Sequence, residues 1–192
     1  MKRDLKKELN RKLIVDAAYQ LMTKKGIQKT SIKEVSELSG ISFVTLYKYF
    51  KNKDELADAV ALLFFKENAQ GLQKIAEDDA TDFLTKFQEF SLKPKQIQQN
   101  LAPDISDEFL QKVNQSAAVQ AYAAEWNQQF WRSMIKAGRA DGVINSDVAD
   151  DVIGLFAGMF TQYVSTHVDD PKLMPQFEKL FMYGIAGKPI KK

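Results

Sequence analysis

Between positions 42 and 48 the sequence runs Ser-Phe-Val-Thr-Leu-Tyr-Lys. That stretch brings together two aliphatic hydroxyls, a phenol, an ammonium and three apolar side chains. Hydroxyls and ammonium groups donate to phosphate oxygens, while hydroxyls, methyls and rings can meet base edges. Thr30 and Ser31 stand a little upstream and Lys53 just downstream. No comparable set points to catalysis. Without cysteine there is no thiolate nucleophile, disulfide or zinc-thiolate site. A single histidine, His167, excludes any site needing two from one chain. The carboxylate pairs Asp78/Asp79 and Asp150/Asp151 are sequence neighbours, and on a helix neighbours point about 100° apart. They share no site. There is no Gly-rich phosphate loop, no supported Ser/His/Asp order and no cluster with metal-ligand spacing. These absences argue against an enzyme, a cofactor or a metal, and leave binding.

The elements that must hold those side chains are short helices. In 8–25 the apolar positions Leu13, Ile14, Ala17, Ala18, Leu21 and Met22 draw one stripe, and Gly26 follows two lysines as a stop. Ser31-Ile-Lys-Glu34 has the capping-box pattern of a second helix, with Ile32, Val35 and Leu38 expected inward. Gly40 suits a turn of positive φ, and Ile41 plugs the gap between helices. Ser42 caps a third helix expected from Phe43 to Phe50. Its inner side would be Leu46, Tyr49 and Phe50. Ser42, Phe43, Val44, Thr45, Tyr47 and Lys48 would face out. Asn52 and Glu55 open a fourth helix, from Lys53 to about Ala76. Three helices around a glycine turn make a helix-turn-helix, whose third helix leaves its N-terminal side open.

Charge agrees. Residues 1–53, the head, carry 13 Lys+Arg against 5 Asp+Glu, a net +8; residues 54–192 carry 14 against 20, a net −6. A basic head on an acidic body fits a polyanionic partner. An N-terminal arm with Lys2, Arg3, Lys6 and Lys7 would add non-specific affinity. The chain has 192 residues, 45% of them hydrophobic and 27% charged, ordinary for a globular protein. No apolar run reaches the roughly 20 residues of a membrane span, and no secretory h-region opens the sequence. A cytoplasmic protein is expected, with no membrane partner.

The body reads as helical too. Residues 80–92 look helical, and Pro94 and Pro103 bracket a looser stretch. Ser106 caps a helix running to about Ala140. A turn follows at 141–147, then helices at 148–167 and 173–186. The last two are apolar on more than one face, which calls for two burial partners, one plausibly a second subunit. Val152, Leu155, Phe156, Met159, Phe177, Leu180 and Phe181 are the expected dimer contacts. Phe87, Phe90, Phe109, Tyr122, Trp126, Phe130, Trp131 and Met134 are the candidates to line an apolar, aromatic ligand pocket. Asn127, Gln128, Gln162 and His167 are its polar handles.

Residues 26–56, GIQKTSIKEVSELSGISFVTLYKYFKNKDEL, resemble the N-terminal domain of the TetR/AcrR family of transcriptional regulators. The matching positions are Gly26, Thr30, Ser31, Val35, Gly40, Ile41, Ser42, Thr45, Leu46, Tyr47, Tyr49, Phe50, Lys53 and Leu56. The resemblance is close over about 8–65 and architectural beyond. It implies an all-α protein: a three-helix helix-turn-helix DNA-binding domain at 8–52 (motif 30–50), joined by a long helix to a helical ligand-binding and dimerisation domain at 53–192. It further implies a homodimeric repressor, released from a palindromic operator in double-stranded DNA by a small hydrophobic or aromatic ligand. Tyr47 and Lys53 would hold phosphates, with Lys48, Thr30 and Ser31 in support. Ser42, Phe43, Val44 and Thr45 would lie nearest the bases. Two positions depart from the pattern. Val44 stands where glycine is frequent. Ser36 and Ser39 replace alanines, and are expected to weaken their helix by competing for backbone bonds. Two other readings compete: a family member that binds many sites to organise the chromosome, and a helical enzyme or lipid carrier, which would need no such basic head.

Overall fold

The computed structural model describes residues 2–101, 103–166 and 173–186. Among them lie nine helices: α1 (Lys2–Lys25), α2 (Ile32–Ser39), α3 (Phe43–Leu46), α4 (Lys53–Glu77), α5 (Phe83–Asn100), α6 (Pro103–Gln115), α7 (Ala117–Ala140), α8 (Asp150–Thr166) and α9 (Met174–Ala186). No helix among the described residues is long and apolar enough to cross a membrane. His167 and the rest of 167–172 lie outside the described residues.

The helices gather into two compact units that do not follow chain order. The first comprises Met1–Asn68 and Gln98–Ala123; the second comprises Ala69–Ile97 and Ala124–Lys192. The sequence boundary expected at 52/53 coincides with neither, because 53–68 and 98–123 pack with the head.

The first unit is built on α1, whose inner face buries Ile14, Val15, Ala17, Ala18 and Met22; Val35, Leu46, Phe50, Leu56 and Val60 are the buried residues of α2 to α4 and the chain between them. Leu13, placed in the stripe by sequence, is exposed, and Val15 takes its place. The basic N-terminal arm is helical from Lys2. Leu38 also faces outward, because Ser36 and Ser39 occupy the inner side of α2. From α6, Phe109 sets its ring edge against Phe64, with centroids 4.9 Å apart.

Three expected boundaries shift. Pro94 lies inside α5, which continues to Asn100; one proline removes a single ladder bond without ending a helix held by packing. Pro103 stands at the start of α6, where a missing N–H costs nothing. The single helix expected from Ser106 to Ala140 is two, parted at Ser116, whose carbonyl accepts from Gln120 N at 3.0 Å and opens α7.

In the second unit Phe83, Phe87, Phe90, Phe130, Trp131, Met134, Phe160 and Phe181 form one buried cluster. Arg139 clamps the turn between α7 and α8. Its guanidinium donates to the carbonyls of Asn145 (2.8 Å) and Val148 (2.6 Å) and to Asp150 Oδ1. Lys86 is buried, and its ammonium donates to Ala76 O at 3.1 Å, closing the C-terminal end of α4.

Candidate nucleic-acid interface

The head is assembled by local capping. Ser31 Oγ accepts from Glu34 N at 3.2 Å while Glu34 Oε2 accepts from Ser31 N at 2.9 Å, a reciprocal box that starts α2. Lys25 pairs with the same carboxylate. The hydrogen bond from Lys25, with those from Ser31, holds the Glu34 carboxyl down at a pKa of about 2. Gly40 turns the chain at φ 68°. Ser36 and Ser39 also brace this turn. Ser36 Oγ donates to Ile41 O at 2.7 Å, and Ser39 Oγ accepts from Ile41 N at 3.3 Å.

The segment after the turn is anchored from behind and open in front. Leu46 and Phe50 are fully buried. Tyr49 is half-buried, and its hydroxyl accepts from Asn10 Nδ2 at 3.2 Å. The Arg11 guanidinium lies 5.1 Å over the Phe50 ring. Phe43, Val44 and Tyr47 are 50%, 70% and 42% exposed, and Ser42 and Lys48 are also exposed. The helix is shorter than expected. After Leu46 the chain tightens into i→i+3 bonds, Lys48 N to Thr45 O (3.0 Å) and Tyr49 N to Leu46 O (2.9 Å), which swing Phe50 into the core. Ser42 caps the segment, its Oγ accepting from Thr45 N at 3.3 Å and donating to Thr45 Oγ1 at 2.8 Å. The Phe43 and Tyr47 rings meet edge to face, with centroids 4.9 Å apart.

Two of the sequence candidates are engaged within the protein. Thr30 is 1% exposed and its hydroxyl donates to Gly26 O at 2.8 Å. Lys53 Nζ donates to Gln28 O (3.0 Å) and Thr30 O (3.1 Å), tying the start of α4 to the turn after α1.

Sequence reasoning missed the contribution of α6. Glu108 reaches the same turn, Oε2 accepting from Ile27 N and Oε1 from Gln28 N, both at 3.2 Å. Gly26, at φ 88°, lets those successive amides converge, and a Cβ there would stand 3.1 Å from Glu108 Oε2. One turn on, Lys112 bridges Asp54 (2.7 Å) and Asp58 (3.1 Å) of α4. Burial opposes the Lys112 charge, but the two carboxylates outweigh it and push its pKa up. No local pattern advertises partners so distant in sequence.

The expected ligand-pocket residues divide. Phe87, Phe90, Phe130, Trp131 and Met134 are core of the second unit, with Trp126 packed against them. Phe109 and Tyr122 belong to the first unit, Tyr122 standing under the Lys66 ammonium at 4.8 Å. Gln162 is exposed on α8. Two amide oxygens in the second unit, Gln73 Oε1 and Asn127 Oδ1, are buried with no hydrogen-bond partner among the described residues. Gln73 was not a sequence candidate.

The expected dimer residues divide as well. Val152, Leu155, Phe156 and Met159 form an exposed i, i+3, i+4, i+7 stripe on α8, with Leu180 and Tyr183 exposed on α9. Phe181 faces inward instead, stacked on Phe87 at 5.4 Å and on Phe156 at 5.2 Å, and half-buried Phe177 packs on Phe160 at 5.2 Å.

Residues 14–60 match the family model described as bacterial regulatory proteins, tetR family. Over 49 residues the chain is 45% identical to the uncharacterized HTH-type transcriptional regulator YvkB of Bacillus subtilis, covering 26% of each chain. It is 39% identical over 54 residues to the class D tetracycline repressor protein of Escherichia coli, which covers 28% of this chain and 25% of that one. The chain thus spans only about a quarter of the length of these relatives. Among solved structures, regulatory protein TetR from Rhodobacter sphaeroides superposes with a TM-score of 0.58 over 91% of this chain and 97% of its own, at 15% identity. That likeness is one of fold. The head is thus similar in sequence to bacterial regulatory proteins of the tetR family over residues 14–60, and along the rest the chain shares the helical fold of a solved structure of that kind.

Proposed function

We propose that the chain is a sequence-specific DNA-binding transcriptional regulator, acting as a homodimeric repressor that a small apolar or aromatic ligand releases from its operator. One observation carries the reading: Ser42, Phe43, Val44, Tyr47 and Lys48 stand into solvent from a basic head while Leu46 and Phe50 anchor the segment in its core. That is the disposition a recognition segment needs in a major groove. Tyr47 and Lys48 hold phosphates, and Ser31 offers a further exposed contact at the start of α2. Ser42, Phe43, Val44 and Thr45 lie along the bases. Thr30 and Lys53 act mainly from behind, fixing the turn that carries Gln28, though Lys53 keeps one N–H for a phosphate.

The apolar α8–α9 face is the surface a second copy covers, which sets two heads on half-sites about 34 Å apart or a multiple of that. The ligand enters among the second unit's aromatics. Gln73 Oε1 and Asn127 Oδ1 support this, because a buried acceptor without a donor costs about 1–3 kcal/mol that a ligand N–H or O–H would recover. A ligand favouring the head spacing that does not fit DNA weakens DNA binding by linkage.

The test is selection of genomic fragments by the purified chain, read by sequencing, followed by titration of the selected site. A few palindromic sites near promoters are expected, with Lys48→Ala lowering the salt slope by about 1. No enrichment at low salt overturns DNA binding, and hundreds of scattered sites overturn the local repressor. A panel of aromatic compounds none of which both stabilises the protein and releases its DNA overturns the ligand.

A further inference from the structure

We propose that Phe43 and Val44 form an apolar reading head for thymine, selecting half-sites with thymine methyls at two neighbouring positions. The inference rests on the DNA-binding reading above and adds what that surface selects.

Polar readout at the start of the recognition segment is largely spent inside the protein. Ser42 Oγ caps Thr45 N and gives its proton to Thr45 Oγ1. Across positions 42–45 this leaves one hydroxyl proton, that of Thr45, for a base. Phe43 and Val44 offer carbon only, and they are the most exposed side chains of the segment among its apolar members. Leu46 and Phe50 are the residues of this segment that the core takes, at 0% and 1% exposure. The edge contact with Tyr47, at an interplanar angle of 68°, fixes how the Phe43 ring is presented.

In the major groove the one apolar group a base pair presents is the C5-methyl of thymine. Guanine and adenine offer acceptors or donors there, and cytosine offers an N4–H₂ that needs an acceptor. Carbon placed against any of these strands a polar edge away from water, which costs more than the contact returns. Against thymine the same carbon buries a methyl group. A buried methyl-sized group carries about 0.8 kcal/mol, close to a fourfold change in affinity.

The experiment uses the full chain and a site obtained by selection. Thymines are replaced singly by deoxyuridine, which keeps every hydrogen bond and removes only the methyl, and affinity is read by fluorescence anisotropy at fixed salt. Two neighbouring positions in each half-site are expected to weaken binding about fourfold each. Phe43→Ala is expected to abolish the penalty at one position and Val44→Ala at the other. Both side chains are exposed, so circular dichroism is expected to match the parent. A site that binds equally well with uracil throughout overturns the proposal while leaving DNA binding intact. A penalty that survives both substitutions overturns the assignment to these residues. Failure to select any site overturns the underlying reading together with this one.

Discussion

Replacing Glu108 with alanine removes both acceptors that hold the turn after α1. The carboxylate takes Ile27 N and Gln28 N at 3.2 Å each. A hydrogen bond to a charged group contributes about 1.5–3 kcal/mol, less where water competes. Ile27 is buried, so its amide loses its partner without replacement, whereas the exposed Gln28 region can turn to water. The expected loss is therefore about one such bond, some 1–2 kcal/mol. In a chain of this size each kcal/mol moves the melting temperature by about 2–4 °C, so a fall of about 2–8 °C is expected. Glu108→Gln keeps one carbonyl acceptor and should lose roughly half as much. Thermal unfolding by circular dichroism measures the fall. Amide hydrogen exchange localises it, with protection dropping at Ile27 and Gln28 and holding at Val35. A variant that melts within 1 °C of the parent, with unchanged exchange at Ile27, would show that the carboxylate does not secure the turn.

Three further outcomes are expected. Glu34 has its pKa depressed to about 2, so its contribution is present above the ordinary carboxylate range near ~4.3 and fades as pH falls from there toward 2. Acid titration of the head should soften over that window, Glu34→Gln should flatten it, and a Glu34 carboxyl NMR shift titrating near 4 would contradict the pairing. A Cβ at Gly138 would stand 2.6 and 2.7 Å from Ile144 and 3.0 Å from Phe83. Gly138→Ala should therefore cost about 1–3 kcal/mol in urea unfolding, and its loss combined with that of Ile144→Ala should fall short of the sum of the two; strictly additive losses would deny the contact. Leu155 is 73% exposed on the apolar face of α8, and Leu155→Glu should reduce the light-scattering mass to that of one chain without loss of helicity. An unchanged dimer mass would place the subunit contact elsewhere.

The head was legible because its instructions are local. Ser31 with Glu34, Gly40 and Ser42 with Thr45 each act within three residues, and such spacings survive in the linear text. The inner side of the segment after the turn was readable for the same reason, through Leu46 and Phe50. Leu38 was misplaced because a period of 3.6 cannot foresee that Ser36 and Ser39 claim the inner face by bonding to Ile41. The body was less legible. Pro94 was weighed by local preference alone and packing overrode it, while Ser116 was not read as a boundary at all. Phe109 and Tyr122 joined the wrong aromatic group because composition does not say which unit a helix enters. Phe181 was assigned to a partner surface although it is buried within the chain. Glu108 and Lys112 act on partners more than fifty residues away and leave no mark in the local pattern.

Because the first unit is assembled from 1–68 and 98–123, no single cut releases the head intact. A fragment ending at 68 forfeits the Glu108 cradle, the Lys112 bridges and the Phe109 ring. A hybrid that grafts only 1–52 onto a relative's body sets a foreign α6 beneath a native turn. Recombination among relatives is constrained in the same way, since an exchanged N-terminal third meets the resident α6 and keeps these contacts where that helix offers an acid and a base one turn apart. Synthesis meets the same dependence in time. The first three helices leave the ribosome early, but the turn after α1, held by then through Thr30 and Lys53, lacks its carboxylate acceptor until α6 emerges. Up to that moment the nascent head bears its full positive charge without its final clasp.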